Sequence, residues 1–273
     1  MLLVEERTVP RNPVRIAGIN FDMLDGRAVL ELIAGHRQST KTSYITLVNP
    51  HSVMLCRRDA EMRRAIERAW VTLPDGVGIV LGARMLSQPH HGRISGPELM
   101  LDLCNRGRET GLRHYFYGGG EGVAQTLARR LGAMFPGLLV AGIHTPPFRG
   151  QSADEDDETI ARINDSAPDV LWIGLGAPKQ EKWMDRHASR FRPMVMVGVG
   201  AAFDFHSGRT AWCPPILRRS GLEWAYRLAH EPRRLWRRNL DSFRFLGLVA
   251  GQLAASDASR TSPRADNQAA AGD

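Results

Sequence analysis

The sequence predicts an α/β fold in which a mostly parallel sheet is covered by helices on both faces and is followed by a basic helical appendage. Short apolar segments without polar alternation, such as Pro168–Gly176, are typical of strands buried on both faces. Amphipathic segments with helical spacing separate these strands, so each crossover would contain a helix and run right-handed. Together the two patterns indicate a Rossmann-like sheet.

The elements alternate along the chain. The predicted strands are Val14–Phe21, Ser43–Val48, Trp70–Leu73, His114–Tyr117, Leu138–Ile143, Pro168–Gly176 and Met194–Val199. The predicted helices are Asp22–His36, Ala60–Ala69, Ser95–Thr110, Val123–Phe135, Asp154–Asn164 and Ala177–Phe191. Ser95 and Glu98 form a capping box, and the acidic run from Asp154 suits a helix start because carboxylates favour that end of the helix dipole.

Composition limits the class of protein. The 273 residues, 43% of them hydrophobic, can bury a full core. The net charge of +7 comes from 33 Arg and 3 Lys and favours a polyanionic partner, which could be a membrane surface, phosphates or nucleic acid. Three dispersed cysteines and the lack of a signal-peptide pattern indicate a reducing, cytoplasmic location. The apolar stretches fall short of the roughly 20 residues that span a bilayer, so we expect no transmembrane helix.

The chain divides into four parts. We expect a flexible N-terminus over 1–13, an α/β catalytic domain over 14–208, a basic amphipathic helical segment over 209–252 and a disordered tail over 253–273. Between positions 218 and 238 there are seven Arg and two Glu, with Trp at the polar boundary, which suits an anionic membrane surface. Ser220-x-x-Glu223 has the pattern of a second capping box, opening two short helices. The alternative is that this segment packs on the domain, and both hold if one helix docks while the other contacts lipid.

The candidate site lies at the carboxyl edge of the predicted sheet, where ligands bind in open α/β folds. That edge would gather Asn49, Asp75, Gly118, Gly119, Gly120 and Gln180. Asp75 stands between Pro74 and Gly76, where a turn would lift its carboxylate into a cleft, and Arg93 lies in a nearby connection. The pair could supply a base for a hydroxyl and a counter-charge for a phosphate. The alternative is that Asp75 only forms the turn.

Other motifs give weaker signals. Asp154-Glu-Asp156 matches a short acidic metal-binding pattern, but it lies in the acidic run that opens a helix, so we expect no metal there. The Gly118–Gly122 turn lacks the third glycine of a dinucleotide fingerprint because Val123 takes that place, which argues against NAD. A helix N-terminus that accepts a diphosphate remains compatible with the turn. No cofactor is therefore expected.

Taken together, the motifs resemble a known family. They are Thr46-Leu-Val-Asn-Pro-His-Ser52, Leu73-Pro-Asp-Gly-Val-Gly78, Arg93-Ile-Ser-Gly-Pro-Glu98, Tyr117-Gly-Gly-Gly-Glu-Gly122, Gly174-Leu-Gly-Ala-Pro-Lys-Gln-Glu181 and Gly200-Ala-Ala-Phe-Asp-Phe-His-Ser-Gly208. In this order, from about Val14 to Leu240, the chain is similar to the WecG/TagA/CpsF family of bacterial glycosyltransferases. The resemblance implies an inverting, metal-independent transferase that moves a hexose from a UDP-sugar to a polyprenyl-diphosphate-linked sugar. It also implies peripheral attachment to the cytoplasmic face of the plasma membrane, and no nucleic acid partner.

The resemblance implies roles for single residues. Asp75 would be the general base, with Asn49, Arg93, Gln180, Thr46 and Gly118–Gly120 around the substrate. Apart from the resemblance, a site without metal would need arginines to neutralise UDP, and Arg218, Arg219 and Arg227 are the candidates to hold the diphosphate or contact the membrane. One departure concerns the threonine that family members often place two residues before the Asn: here that position is Leu47, and Thr46 lies one residue earlier.

Two other functions compete with this interpretation. A nucleotide-dependent oxidoreductase would need a complete dinucleotide fingerprint, and a non-catalytic membrane-bound assembly factor would share the basic helices but would not need Asp75. The sequence leaves open the donor hexose, which could be of the N-acetylmannosamine, N-acetylmannosaminuronic acid or glucose type. It also leaves open the acceptor glycan and whether the chain forms homo-oligomers.

Overall fold

The structure is a computed structural model that describes residues 11–147 and 153–261. Its strands are β1 (Val14–Ile16), β2 (Ile19–Phe21), β3 (Ser43–Val48), β4 (Val71–Pro74), β5 (Arg113–Gly118), β6 (Leu139–His144), β7 (Val170–Gly174) and β8 (Val195–Gly198). Its helices up to the last strand are α1 (Gly26–His36), α2 (Pro50–Cys56), α3 (Ala60–Glu67), α4 (Val77–Met85), α5 (Gly96–Arg106), α6 (Val123–Met134), α7 (Ala153–Asp165) and α8 (Lys179–His187). Four more follow it: α9 (Ala202–Ser207), α10 (Pro215–Arg219), α11 (Glu223–His230) and α12 (Pro232–Thr261).

Six of these strands form one parallel sheet in the order β4-β3-β8-β7-β5-β6. Its central strand β7 carries Val170, Leu171 and Trp172, all fully buried, as expected for a strand covered on both faces. The predicted Rossmann-like α/β fold is confirmed.

Neighbouring strands send their connections to opposite faces of the sheet. Helix α6, which follows β5, packs with Phe116 and Trp172 on one face, together with α1, α5 and α9. Helix α8, which follows β7, packs with Tyr117 and Ile173 on the other face, beside α7. Since β5 and β7 are adjacent, a crevice opens between their carboxyl ends, which is where this class of fold binds ligands.

A second core lies beyond the β4 edge of the sheet. It contains residues of the β1–β2 pair, of the helices α2, α3 and α4, and of the C-terminal helix α12, whose Phe245 and Val249 are completely buried. The C-terminal segment is therefore docked on the α/β domain through one apolar face of its longest helix.

The first predicted strand is wrong in its topology. Val14–Phe21 is an antiparallel hairpin outside the main sheet, with Val14 opposite Phe21 and Ile16 opposite Ile19. Ala17 and Gly18 form the turn with φ angles of 49° and 86°, the left-handed pair that a two-residue hairpin requires.

The prediction also missed helices that begin directly after strands. Asn49 caps α2 by accepting from the Ser52 amide at 3.1 Å, with Pro50 at the first helical position. Helix α4 was hidden by its glycines, and α9 and α10 were not among the predicted helices. Ser95 caps α5 as predicted, since its hydroxyl accepts from the Glu98 amide at 3.4 Å and donates to the Glu98 carboxylate at 2.7 Å.

The C-terminal segment departs most from the prediction. Ser220 ends α10 and donates to the Leu217 carbonyl at 3.1 Å, so the expected second capping box is wrong. The last helix has 30 residues and continues to Thr261, past position 253, where the disordered tail was expected to begin. Alanine has the highest helix propensity, so an Ala-rich stretch readily extends a docked helix. The predictions for residues 1–10, 148–152 and 262–273 fall outside the described residues.

Within residues 11–147 and 153–261, no helix combines the length and the apolar character needed to cross a bilayer.

Candidate active site

The structure brings the ends of β3 and β4 together, as predicted. The Asp75 amide donates to the Val48 carbonyl at 3.0 Å, which fixes the turn after β4 against the end of β3. The Asn49 side chain then donates to the Asp75 carboxylate at 3.3 Å. One residue therefore caps α2 through its oxygen and holds Asp75 through its nitrogen.

The Asp75 carboxyl is half-buried and surrounded by positive charge. Burial raises its pKa above the ordinary value, and the Asn49 hydrogen bond and the charges of Arg238, Arg93 and Arg227 act in the opposite direction. A carboxylate with a raised pKa is a stronger proton acceptor than an exposed one, which suits a general base.

Arg93 connects the α/β domain to the C-terminal segment. Its Nη1 lies 3.4 Å from the Glu223 carboxylate and 3.7 Å from the Glu98 carboxylate, and its Nη2 donates to the Arg218 carbonyl at 3.1 Å. The Arg93 side chain is only 16% exposed. Its positive charge is thus held at the site by groups from α5, α10 and α11.

Arg218 and Arg227 lie on aromatic rings beside this contact. The Arg218 guanidinium is 3.5 Å from the centroid of the Trp212 ring and donates to Glu98 at 3.1 Å, and Arg227 lies 5.4 Å from the Phe205 centroid. Within the part of the chain that the structure describes, the buried Nε atoms of both arginines lack a hydrogen-bond partner. Unpaired buried donors are rare in folded proteins, and a functional role is one of the explanations for them.

The glycine-rich turn after β5 lies further along the same edge of the sheet. Gly119 donates to the Gly174 carbonyl at 3.1 Å, and a Cβ on Gly118 would lie 2.7 Å from the Gly174 carbonyl carbon. The Arg209 guanidinium lies against Gly120. The turn therefore exposes backbone at the mouth of the β5–β7 crevice, with an arginine that the sequence prediction missed.

Gln180, which was predicted at the sheet edge, lies in the first turn of α8 and faces inward. Its side chain is buried, where it accepts from the Gly176 amide at 3.2 Å and donates to Glu181 at 2.9 Å. The contacts that the structure shows brace the loop after β7.

Two of the predicted residues lie apart from the cluster around Asp75. Thr46 is fully buried within β3, and its hydroxyl shares a hydrogen bond of 3.2 Å with Thr72, so its predicted role at the substrate has no support from its position. It lies inside the strand rather than beyond its carboxyl end, where the site is formed. Arg219 is exposed on α10.

Two charged residues near Asp75 were missed by the sequence prediction. Glu223 was interpreted as a helix cap, and Arg238 as one of many basic residues. Burial raises the pKa of Glu223, with the neighbouring Asp75 charge adding to the effect and Arg93 opposing it. The only available signal was the charge density of the segment, which does not show which side chains turn inward.

The acidic run Asp154–Asp156 forms the first turn of α7, as predicted. Across the described parts of the chain, no three His, Cys, Asp or Glu side chains come together as metal ligands would.

Comparison with known proteins shows the family of the chain. The model of the glycosyl transferase WecG/TagA/CpsF family matches residues 14–259. A Bacillus spizizenii protein named N-acetylglucosaminyldiphosphoundecaprenol N-acetyl-beta-D-mannosaminyltransferase is 29% identical over 221 residues, which are 81% of this chain and 84% of the relative. A Staphylococcus aureus protein with the same name is 29% identical over 238 residues, which are 86% of this chain and 91% of the relative. The chain therefore belongs to the glycosyl transferase WecG/TagA/CpsF family.

Proposed function

We propose that the protein is an inverting transferase that moves N-acetylmannosamine from a UDP-sugar to an N-acetylglucosamine linked through diphosphate to a polyprenyl lipid. The observation that carries the proposal is the Asp75 carboxylate at the sheet edge, with Arg93, Arg227 and Arg238 contributing positive charge around it. The names of the two relatives support the choice of sugar and acceptor. The product would serve the synthesis of a cell-surface polysaccharide.

In this mechanism Asp75 acts on the acceptor. Its carboxylate removes the proton from an acceptor hydroxyl while that oxygen forms a bond to the anomeric carbon of the donor. The bond between the anomeric carbon and the β-phosphate oxygen breaks on the opposite side, so the configuration inverts and UDP departs with the electron pair. The Asn49 hydrogen bond orients the carboxylate toward this task.

The arginines would stabilise the departing diphosphate. Arginine binds phosphate oxygens in pairs and stays charged at all working pH values. Arg93 and Arg227 lie close enough to influence the Asp75 charge, so they can also neutralise charge on a substrate bound beside it. The glycine-rich turn after β5, with Arg209, is available to another part of the donor at the same edge.

Metal independence follows from this supply of positive charge. Saturating EDTA should leave turnover nearly unchanged, because the arginines take the role that a divalent ion has in metal-dependent transferases. The measurement is the initial rate with and without EDTA. A large loss that magnesium or manganese restores would contradict this and return attention to Asp154 and Asp156.

Attachment to the inner face of the plasma membrane would bring the enzyme to its lipid acceptor. Exposed apolar side chains cluster on the C-terminal helices, with Ile216 77%, Trp224 50%, Trp236 49% and Phe243 67% exposed. Arginines of the same helices surround them, the arrangement expected of a peripheral surface on anionic lipid.

A transfer assay tests the proposal. The purified protein is incubated with single UDP-sugars and a short-chain lipid-diphosphate N-acetylglucosamine, and products are detected by mass and by the configuration of the new linkage. We expect one hexose added from UDP-N-acetylmannosamine, with inverted configuration. Transfer with retained configuration, or no transfer from any UDP-sugar by folded protein, would refute the proposal.

A further inference from the structure

We propose that Asp241 is a positioning residue: it fastens the C-terminal helix α12 to α2 and so sets the distance between Arg238 and Asp75. The inference rests on the proposed function for its catalytic consequence. Its structural part concerns a contact between two helices, which can be tested without any reaction.

The contact joins residues far apart in the chain. The Asp241 carboxylate lies 2.8 Å from His51 Nδ1 through one oxygen, and its other oxygen accepts from Arg58 at 2.9 Å. His51 is in the first turn of α2, and Arg58 follows the end of that helix. Arg244, on α12 itself, also donates to Asp241 at 3.2 Å. Two of the three donors therefore cross from the α/β domain to α12.

The Asp241 carboxylate is buried in the contact between α12 and α2 and is not a surface charge. Its side chain is only 4% exposed, and burial alone would raise its pKa. The donors His51, Arg58 and Arg244 outweigh burial and hold the pKa of the carboxyl below its usual range. A buried carboxylate without hydrogen-bond partners would destabilise the protein. Docking of α12 therefore favours the arrangement in which the donors contact Asp241.

The Asp241 contact is connected to the proposed base Asp75 through neighbouring residues of α2 and α12. Asn49, which donates to Asp75, caps the helix whose first turn contains His51. Arg238, whose charge acts on Asp75, lies one helical turn before Asp241 on α12. A series of contacts and short chain segments therefore leads from Asp75 through Asn49, His51 and Asp241 to Arg238, whose charge acts on Asp75. A shift of α12 along α2 would move Arg238 relative to Asp75.

The groups that act on Asp75 come from four elements. Asn49 belongs to α2, Arg93 to the segment before α5, Glu223 and Arg227 to α11, and Arg238 to α12. The positions of these groups are set by how the C-terminal segment docks, and Asp241 is the buried charged contact between α12 and α2.

A matched pair of variants isolates the contact. Arg58→Gln and Arg244→Gln each remove one guanidinium that donates to the same Asp241 oxygen, but only Arg58 belongs to the α/β domain. Both arginines are more than half exposed, so both variants should fold. Asp241→Asn removes the charge of the contact as a whole.

The test compares hydrogen exchange of the backbone amides over residues 215–250, and the pH dependence of kcat/KM, between the wild type and the three variants. In Arg58→Gln and Asp241→Asn, exchange in α12 should rise about tenfold or more, which corresponds to about 1.4 kcal/mol of lost docking. The acidic limb of kcat/KM should move to higher pH, because Asp75 loses part of the Arg238 charge that favours its ionised form. Arg244→Gln should change neither.

Equal behaviour of Arg58→Gln and Arg244→Gln in both measurements would overturn the proposal. Faster exchange with an unmoved acidic limb would also overturn it, since Asp241 would then be merely structural. If the wild-type protein transfers no sugar, the proposed function fails, and the exchange comparison still decides whether Asp241 docks the helix.

Discussion

Asp75 depends on charged residues that lie far from it in the sequence. Arg93 belongs to the segment just before α5, whereas Glu223, Arg227 and Arg238 come from the C-terminal helices. Opposite charges favour the ionised carboxylate and like charges disfavour it. The protonation of the proposed base is therefore set by how the C-terminal segment docks.

Neutral substitutions of two of these neighbours should shift the pH profile in opposite directions. Arg238→Gln removes a positive charge, so the pKa of Asp75 rises and the acidic limb of kcat/KM moves to higher pH. Glu223→Gln removes a negative charge, so the limb moves to lower pH. Rates over a pH series with both variants and wild type test this, and shifts of the same sign in both variants would contradict it.

Sequence reasoning found the residues at strand ends, and on the C-terminal helices it named Arg218 and Arg227 but missed Glu223 and Arg238. Asn49 and Asp75 follow strands directly, so the geometry of parallel sheets placed them together. Gln180 lies in the first turn of α8, after the loop that follows β7, and the direction of its side chain depends on a hydrogen bond to Glu181, which no sequence pattern shows. Glu223 and Arg238 reach the site only through packing between distant helices, which is invisible to local periodicity.

At the scale of elements, the close approach of β5 and β7 depends on glycine. Gly118 has a φ of 127° and lies directly against the backbone of Gly174. Its neighbour in the next helix, Gly132 of α6, has open space where a Cβ would be added. The two glycines thus serve as a test and a control in adjacent elements.

Alanine at these positions should have opposite effects on stability. Gly118→Ala should lower the free energy of unfolding by about 1–3 kcal/mol through overpacking, with added backbone strain. Gly132→Ala should raise it by about 0.5–1 kcal/mol, because alanine favours the helix interior. Urea unfolding of both variants measures this. A Gly118→Ala protein as stable as wild type would show that the crevice tolerates a side chain.

Elements with a clear hydrophobic pattern were predicted from the sequence. Elements whose boundaries depend on turns or on glycines were missed. The buried strands of the sheet were recognised from their apolar runs. The β1–β2 hairpin was missed because its turn uses Ala17 rather than the usual Asn or Asp. Helix α4 was missed because its glycines weaken helix propensity, which packing against β1 and α12 overrides.

At the scale of the whole molecule, the C-terminal helices present two different surfaces. Phe245 and Val249 of α12 are buried against the domain, whereas Trp224, Trp236 and Phe243 are largely exposed. Deleting the whole segment would uncover the domain core as well as remove the exposed surface. Point substitutions on the exposed side separate membrane attachment from folding.

The double variant Trp224→Ser, Phe243→Ser should lose binding to liposomes that contain anionic lipid. High salt should weaken wild-type binding as well, since exposed charges are screened over about 8 Å at physiological ionic strength. Flotation with liposomes measures both. Met134→Ser is the control, because Met134 is 57% exposed at the end of α6 and does not belong to the basic helices. Unchanged binding by the double variant would show that attachment uses another surface.

The central claim is that Asp75 is the catalytic base, and Asp75→Asn tests it most directly. Because burial raises the pKa of Asp75 in the folded protein, its ionised form costs stability, and that cost grows as pH rises above the unfolded pKa of about 3.8. Asparagine is neutral, so the melting temperature at neutral pH should be unchanged or higher.

Turnover and melting temperature are measured on the same preparation of Asp75→Asn. We predict that turnover falls by about 10²–10⁴, the usual contribution of a general base, while UDP-sugar binding and the melting temperature are retained. A folded Asp75→Asn protein with turnover near that of wild type would contradict the account.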